Sequence, residues 1–109
     1  MSKQGKVFWV ELPWHEKSHI QGGTRPCVVI TPDWIKHSGV VTVCPLSTKL
    51  DEFEFHPRVF VGGKQGQVLC DQVTTIDVQD IGDYVGKLRD EEFVKVKLAL
   101  FRLNWCDEP

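Results

Sequence analysis

Apolar residues come along this chain in five short runs before the pattern changes period. The runs KVFWVEL (6–12), RPCVVIT (25–31), GVVTVCPLS (39–47), PRVFVG (57–62) and GQVLCDQ (66–72) are rich in Val, Phe and other β-formers. Each is bounded by Gly or Pro, so each predicts a strand. Short strands at this spacing predict a small barrel or sandwich. The runs 57–62 and 66–72 are separated by GKQ with a glycine at either flank, which predicts a hairpin.

The last segment changes to a helical period. Asp90 is a candidate N-cap, and Glu91 and Glu92 suit the positive end of a helix dipole; the helix is expected to run to about Asn104. Its apolar residues form two stripes. Phe93, Val96, Leu100 and Leu103 line one face, and Val94, Leu98, Phe101 and Trp105 line nearly the opposite one. A helix with two apolar faces has two things to pack on. One is its own sheet, and the other is expected to be a second copy of the chain, making a homodimer. The pattern as a whole predicts a mainly β (α+β) fold with a C-terminal helix.

Composition narrows the class without naming a function. A length of 109 residues suits one domain over 1–109, and 41% hydrophobic with 26% charged residues is ordinary for a globular chain. No window approaches the roughly 18 consecutive apolar residues of a membrane span, and MSKQGKVFWV has neither the apolar core nor the cleavage site of a signal peptide. A cytoplasmic protein with no membrane partner is the expectation. Cys27, Cys44, Cys70 and Cys106 form no C-x-x-C pair and read as small buried hydrophobes. The net charge of −2 supplies no global basic field, so any nucleic acid must be held by a local groove.

The stretch HEKSHIQGGTR (15–25) spells most of a zinc-protease signature, H-E-x-x-H-x-x-G-x-x-R. That chemistry needs a helix, which puts residues i and i+4 on one face so that both imidazoles reach one metal. Pro13 precedes the stretch, Gly22 and Gly23 interrupt it, and Pro26 disfavours helical backbone at Arg25. Arg25 stands at the third ligand position and cannot coordinate a cation. No metal and no cofactor is expected. The stretch reads instead as a loop between two strands that presents His19, Gln21, Thr24 and Arg25 within seven residues, with Gly22 and Gly23 between them. Glycines let backbone N–H groups approach a ligand, arginine grips a phosphate with two bonds, and histidine titrates near neutrality. Those are the parts for phosphodiester chemistry without a metal.

The order of blocks GKVFWVEL, then H-x-Q-G-G-T-R-P-C-V-V-I-T, then VTVCPLST, then VLCDQVTTID and a terminal helix resembles the MazF/PemK toxins over about residues 5–104. These are endoribonucleases of bacterial toxin–antitoxin pairs. The resemblance implies an SH3-like β-barrel with a C-terminal helix, a homodimer, metal-independent cleavage of single-stranded RNA, and an antitoxin partner with a flexible acidic tail.

Carried over residue by residue, the resemblance makes Arg25 the phosphate clamp and a possible donor to the leaving oxygen. Ser47 stands where threonine is usual, with Thr48 beside it. Asp71 of LCDQ matches a position assigned as base in some members, and His19 matches a loop histidine found in some. Gln21, Gly22, Gly23, Thr24 and Gln72 complete the candidate substrate-binding set. Ile20, Leu69 and Thr74 depart from the family pattern, where glutamate, arginine and a basic residue are frequent. RNA bases need a path, for which the loop 48–58 and the 62–66 turn are candidates. Phe53, Phe55 and His56 could stack on splayed bases, or Phe53 and Phe55 could fold inward as core, and Asp51, Glu52 and Glu54 would repel phosphates there. Two further readings stay open: a member that only binds RNA or antitoxin, and a CcdB-like gyrase poison acting through the helix end at Trp105.

Overall fold

The computed structural model describes residues 3–13 and 22–106. Five of its seven strands fall on the five apolar runs: β1 (Lys6–Leu12), β2 (Gly23–Val29), β3 (Val40–Ser47), β4 (Arg58–Val61) and β5 (Lys64–Val68). Two more, β6 (Thr74–Asp77) and β7 (Ile81–Lys87), precede the helix α1 (Asp90–Trp105). Pairing is antiparallel throughout, in the order β4-β5-β3-β2-β1-β7, with β6 also on β3. The result is a curled antiparallel sheet, a half-barrel, with one C-terminal helix. That is the α+β class and barrel type expected.

The curl is legible in the side chains. Along β1, β2 and β3, Val7, Val28, Cys44 and Leu46 enter one core cluster, while Val10, Cys27, Val29 and Val43 enter another. Successive side chains of a strand point to opposite faces, so the centre of the sheet is buried on both sides. Continuous runs such as CVV and VCPL are what such strands require. The first cluster is closed by Val96 and Ala99 of α1, and the second by Ile76 of β6 with Ile81 packed against it.

One edge of β3 serves two strands in succession. Val40–Val43 pair with β6, whereas Leu46 and Ser47 pair with Val68 and Gln67 of β5. Pro45 sits at the changeover, where it has no N–H to leave unpaired, and its carbonyl accepts the Leu69 N–H at 2.9 Å. A tight turn at Cys70–Gln72 carries the chain round this corner. The predicted fifth strand, 66–72, therefore stops at Val68.

The β4–β5 hairpin also turns elsewhere than predicted. Val61 pairs with Lys64, so the loop is Gly62–Gly63, with φ of +62° and +78° at the two glycines. A two-residue loop with both φ positive matches the right-handed twist of the strands, and glycine adopts it without strain. A Cβ on Gly62 would also stand 2.7 Å from Val85 Cγ1. Gly62 thus brings the β4 turn against β7, where the half-barrel comes nearest to closing.

Helix α1 settles which stripe faces in. Val96 and Ala99 are buried, with Phe93 and Leu100 packed against the same core, while Val94, Leu98, Phe101 and Trp105 are exposed. Leu103, placed on the inner stripe by periodicity, is exposed as well. The N-cap is Arg89, not Asp90, because Glu92 reaches back to it. Glu92, 3% exposed, accepts from the Arg89 backbone N–H (2.8 Å), the Arg89 guanidinium (3.0 Å) and the Phe60 N–H of β4 (2.7 Å). One carboxylate thus caps the helix and ties it to the sheet.

Burial works against the Glu92 charge, but the Arg89 guanidinium and the two backbone N–H groups outweigh it and hold the carboxyl below its ordinary value. A depressed carboxyl stabilises the fold above its unfolded-state pKa, and that contribution is lost as pH falls through the folded value. Glu92→Gln is expected to lower the Tm at pH 7 and to shrink the difference from the parent as pH falls below about 4.3. Melting curves from pH 7 to 3 check this; a constant difference across that range would refute it.

Cys27, Cys44 and Cys70 are buried as expected, but Cys106 is exposed at the helix end, a correction to the sequence reading. Burial pushes the Cys27 thiol up to about 12, and the Cys70 thiol together with burial pushes Cys44 up as well, so neither forms a ready thiolate. Among the described residues no helix is long and apolar enough to cross a membrane.

Candidate active site

The first pairing of the sheet places the best candidate. Arg25 lies opposite Val10 and Pro26 opposite Trp9, which seats the Gly-Thr-Arg-Pro run at the β1 edge of β2. Gly23 has φ +77°, a backbone state that glycine takes freely, and it opens the strand where the loop arrives. The Arg25 Nε–H donates to the Gly22 carbonyl at 3.0 Å. That bond fixes the plane of the guanidinium and leaves its outer N–H fork for a ligand. Among the described residues no carboxylate pairs with it.

Arg25 lines a groove of about 490 Å³. Thr24, Ser47 and Thr48 share it, and so do Lys49 and Lys64; no described aspartate or glutamate lines it. Among the described residues three cations and no acid line it, the local anion-attracting groove that a chain of net charge −2 would need. The two hydroxyls differ. Ser47 Oγ accepts the Lys49 N–H at 3.1 Å and shapes the turn that leaves β3. The Thr48 hydroxyl makes no hydrogen bond to any described residue. Thr24 Oγ1 donates to Glu11, which keeps that carboxylate beside the groove but engaged.

Asp71 and His56 lie elsewhere. His56, 8% exposed, stands between two carboxylates: its Nδ1 is 2.8 Å from Asp51 Oδ2 and its Nε2 is 2.7 Å from Asp71 Oδ1. Neither His56 nor Asp71 lines the Arg25 groove. Burial opposes the charge of Asp51, but hydrogen bonds from Gln67, His56 and the Phe53 N–H hold its carboxyl below the ordinary range. Phe53 and Phe55 stack on each other at 5.0 Å and meet the His56 ring edge-on. Phe53 is 57% exposed, so it is not core. These rings and His56 line a second cavity, against Lys95, Leu98 and Arg102 of α1.

The candidates thus divide. Arg25, Thr24, Ser47 and Thr48 come together; Asp71, His56 and Phe55 form a separate group, with Gln72 in the turn beside Asp71. Gly22 and Gly23 are buried at the entry to β2. His19 and Gln21, the departure at Ile20 and the H-E-x-x-H residues all lie outside the described residues. Among the described residues no group of three or more His, Cys, Asp or Glu is arranged to hold a metal ion.

Residues 3–103 match the profile of the PemK-like, MazF-like toxins of type II toxin–antitoxin systems. The chain belongs to that family. It is 36% identical over 100 residues to a protein of Mycobacterium tuberculosis (strain H37Rv) described as a candidate toxin, covering 91% of this chain and 93% of that one. The fold is shared with crystalline MazF from Deinococcus radiodurans, at a TM-score of 0.81 and 22% identity over 93% of this chain and 94% of that one. It is shared too with an endoribonuclease in complex with its cognate antitoxin from a mycobacterial species, at a TM-score of 0.80 and 19% identity over 97% of both chains. Membership makes the chain a toxin of the type II toxin–antitoxin class.

Within this PemK/MazF-type chain, the groove adds residues that sequence reading passed over. Trp9, 43% exposed, lines it beside Arg25, and Lys49 and Lys64 supply two of its three cations. The 62–66 turn was a candidate path for bases, and Gly62, Lys64, Gln65 and Gly66 do line the groove. Lys49 carried a weak signal by following two hydroxyl residues at a strand end. Trp9 carried none, because an indole in an apolar run reads as core until pairing decides its face.

Proposed function

We propose that this protein is a sequence-selective, metal-independent endoribonuclease that cleaves single-stranded RNA, an mRNA interferase. One observation carries the reading: a half-buried arginine, unpaired by any described carboxylate, shares a groove with two lysines and a threonine hydroxyl that no described residue engages, and no described acid lines that groove. In the reaction the ribose 2′-oxygen gives up its proton and bonds to phosphorus, and the P–O5′ bond breaks. The products are a 2′,3′-cyclic phosphate and a 5′-hydroxyl. Arg25 grips two non-bridging oxygens with its planar fork, and Thr48 donates a third bond as charge builds on the phosphoryl group. His19, three residues before Gly22 in the sequence, is the base for the 2′-hydroxyl. The leaving oxygen takes its proton from solvent while bonded to the Arg25 N–H, since a guanidinium does not itself deprotonate.

A synthetic single-stranded RNA incubated with the protein in EDTA tests the proposal. Cleavage is expected to continue and to leave cyclic phosphate and 5′-hydroxyl ends by mass spectrometry. No cleavage with RNA still bound would point to a binding-only member, and activity restored by added metal would overturn the mechanism. The base assignment has its own check. Single-turnover rate is expected to rise with pH through the histidine range, and His19→Ala to remove that limb; an unchanged profile would take the role from His19.

The same reading includes a homodimer in the cytoplasm and neutralisation by the acidic tail of an antitoxin. The outer stripe of α1, with Trp105 72% exposed, supports the first, because an apolar face of this kind is expensive to leave in water. The cationic groove supports the last, since an acidic peptide meets the same charges as RNA.

A further inference from the structure

Only three residues, Thr48, Lys49 and Leu50, separate the end of β3 from Asp51. Two of them line the Arg25 groove. The near end is set by Ser47, paired with Gln67 in the sheet and bonded through its hydroxyl to the Lys49 N–H. The far end is set by side chains. Gln67, 2% exposed, accepts the Asp51 N–H at 3.1 Å through Oε1 and donates to Asp51 Oδ2 at 3.0 Å through Nε2. Asp51 in turn holds His56, and His56 holds Asp71 at the corner after β5.

We propose that the buried Gln67 and His56, with the partly exposed Asp51 and Asp71, form a polar clamp that positions the Thr48–Lys49 edge of the groove. A buried amide or imidazole left without partners is costly, so a fully bonded chain of such groups specifies one geometry. Here the chain runs from the sheet through the loop to the corner. Each ring nitrogen of His56 stands within hydrogen-bond distance of one of the two carboxylates. The Thr48 hydroxyl has no bond of its own to any described residue, so its position is inherited from the main chain on either side. Asp71 then has a different part from the one its sequence match implies. Its Oδ1 is engaged by His56 and it does not line the groove, so it is a positioning residue and not the base.

The clamp rests on the RNA-cleaving reading for what the edge does, but its geometry can be tested apart from it. With Gln67→Leu, kcat on RNA is expected to fall about tenfold to a hundredfold, the scale of a misplaced catalytic group. KM should change little, because Arg25 and Lys64, which stand outside the clamped edge, still hold the phosphates. In a Thr48→Ala background the same substitution should cost no more than about twofold, since there is no hydroxyl left to misplace. Additive losses would overturn the clamp and leave the nuclease reading intact. Should Gln67→Leu fail to fold, Asp71→Asn, at a half-exposed and nearly isosteric site, carries the same cycle. It should keep the pH limb of the rate, which a catalytic base would lose. Amide hydrogen exchange reads the clamp without activity. Exchange at Thr48–Leu50 is expected to quicken in Gln67→Leu or Asp71→Asn while β1–β3 stays protected, and unchanged exchange there would refute the proposal even if the parent cleaved no RNA.

Discussion

Replacing Arg25 with alanine is expected to lower RNA cleavage by about a thousandfold or more while leaving far-UV circular dichroism unchanged. The size follows from the role. A preorganised donor aimed at developing charge contributes about 10²–10³ in rate, and Arg25 supplies two N–H bonds plus a full charge. The fold should survive because Arg25 is only half buried and the one described hydrogen bond of its side chain is to the Gly22 carbonyl. Arg25→Lys is expected to recover little, since a point charge cannot reproduce a planar fork at a phosphate. Lys49 and Lys64 would still hold RNA, so filter binding should weaken far less than cleavage. A fully active Arg25→Ala would remove the mechanism.

A charge at Leu98 is expected to break the dimer. Leu98 lies at the middle of the exposed stripe of α1, with Val94, Phe101 and Trp105 around it, while Leu100 packs on the sheet. A two-fold contact buries the same residue from both copies, so Leu98→Glu places two unpaired carboxylates in one apolar interface. Each uncompensated buried charge costs about 3–5 kcal/mol, which corresponds to at least a hundredfold weaker association. Light scattering at micromolar concentration should show the parent as a dimer and Leu98→Glu as a folded monomer. Leu100→Glu should instead lower the Tm, because its side chain meets the core of its own chain. A parent that is monomeric, or a Leu98→Glu variant that stays dimeric, would rule out this face.

How much of this was legible beforehand differs by element. The first three strands were visible because β1, β2 and β3 form the centre of the sheet, where burial on both faces forces uninterrupted apolar residues. β7 was missed for the opposite reason. It pairs with β1 through register shifts between Val7 and Phe8 and between Phe8 and Val10, so IGDYVGK shows no steady alternation. β6 has four residues and one buried side chain, Ile76, too little for a pattern. The helix and its two stripes were plain from spacing, but spacing is symmetric and could not say which stripe faces water.

The site divides along the same line. Residue types by themselves singled out His19, Gln21, Thr24 and Arg25 as candidates on one glycine-containing stretch, whereas Ser47 and Thr48 joined them only through the family resemblance. The sequence also argued against a zinc helix at residues 15–25, since Pro and Gly act on the backbone locally. Tertiary structure alone decided what stands next to what. It drew Trp9 and Lys64 to Arg25, from separate strands, and it took Asp71 away to His56. The physical reason is that a side chain's face is fixed by its residue type and neighbours only within one strand. Its companions across the sheet are fixed by register, and here register changes where Pro45 hands one edge of β3 from β6 to β5.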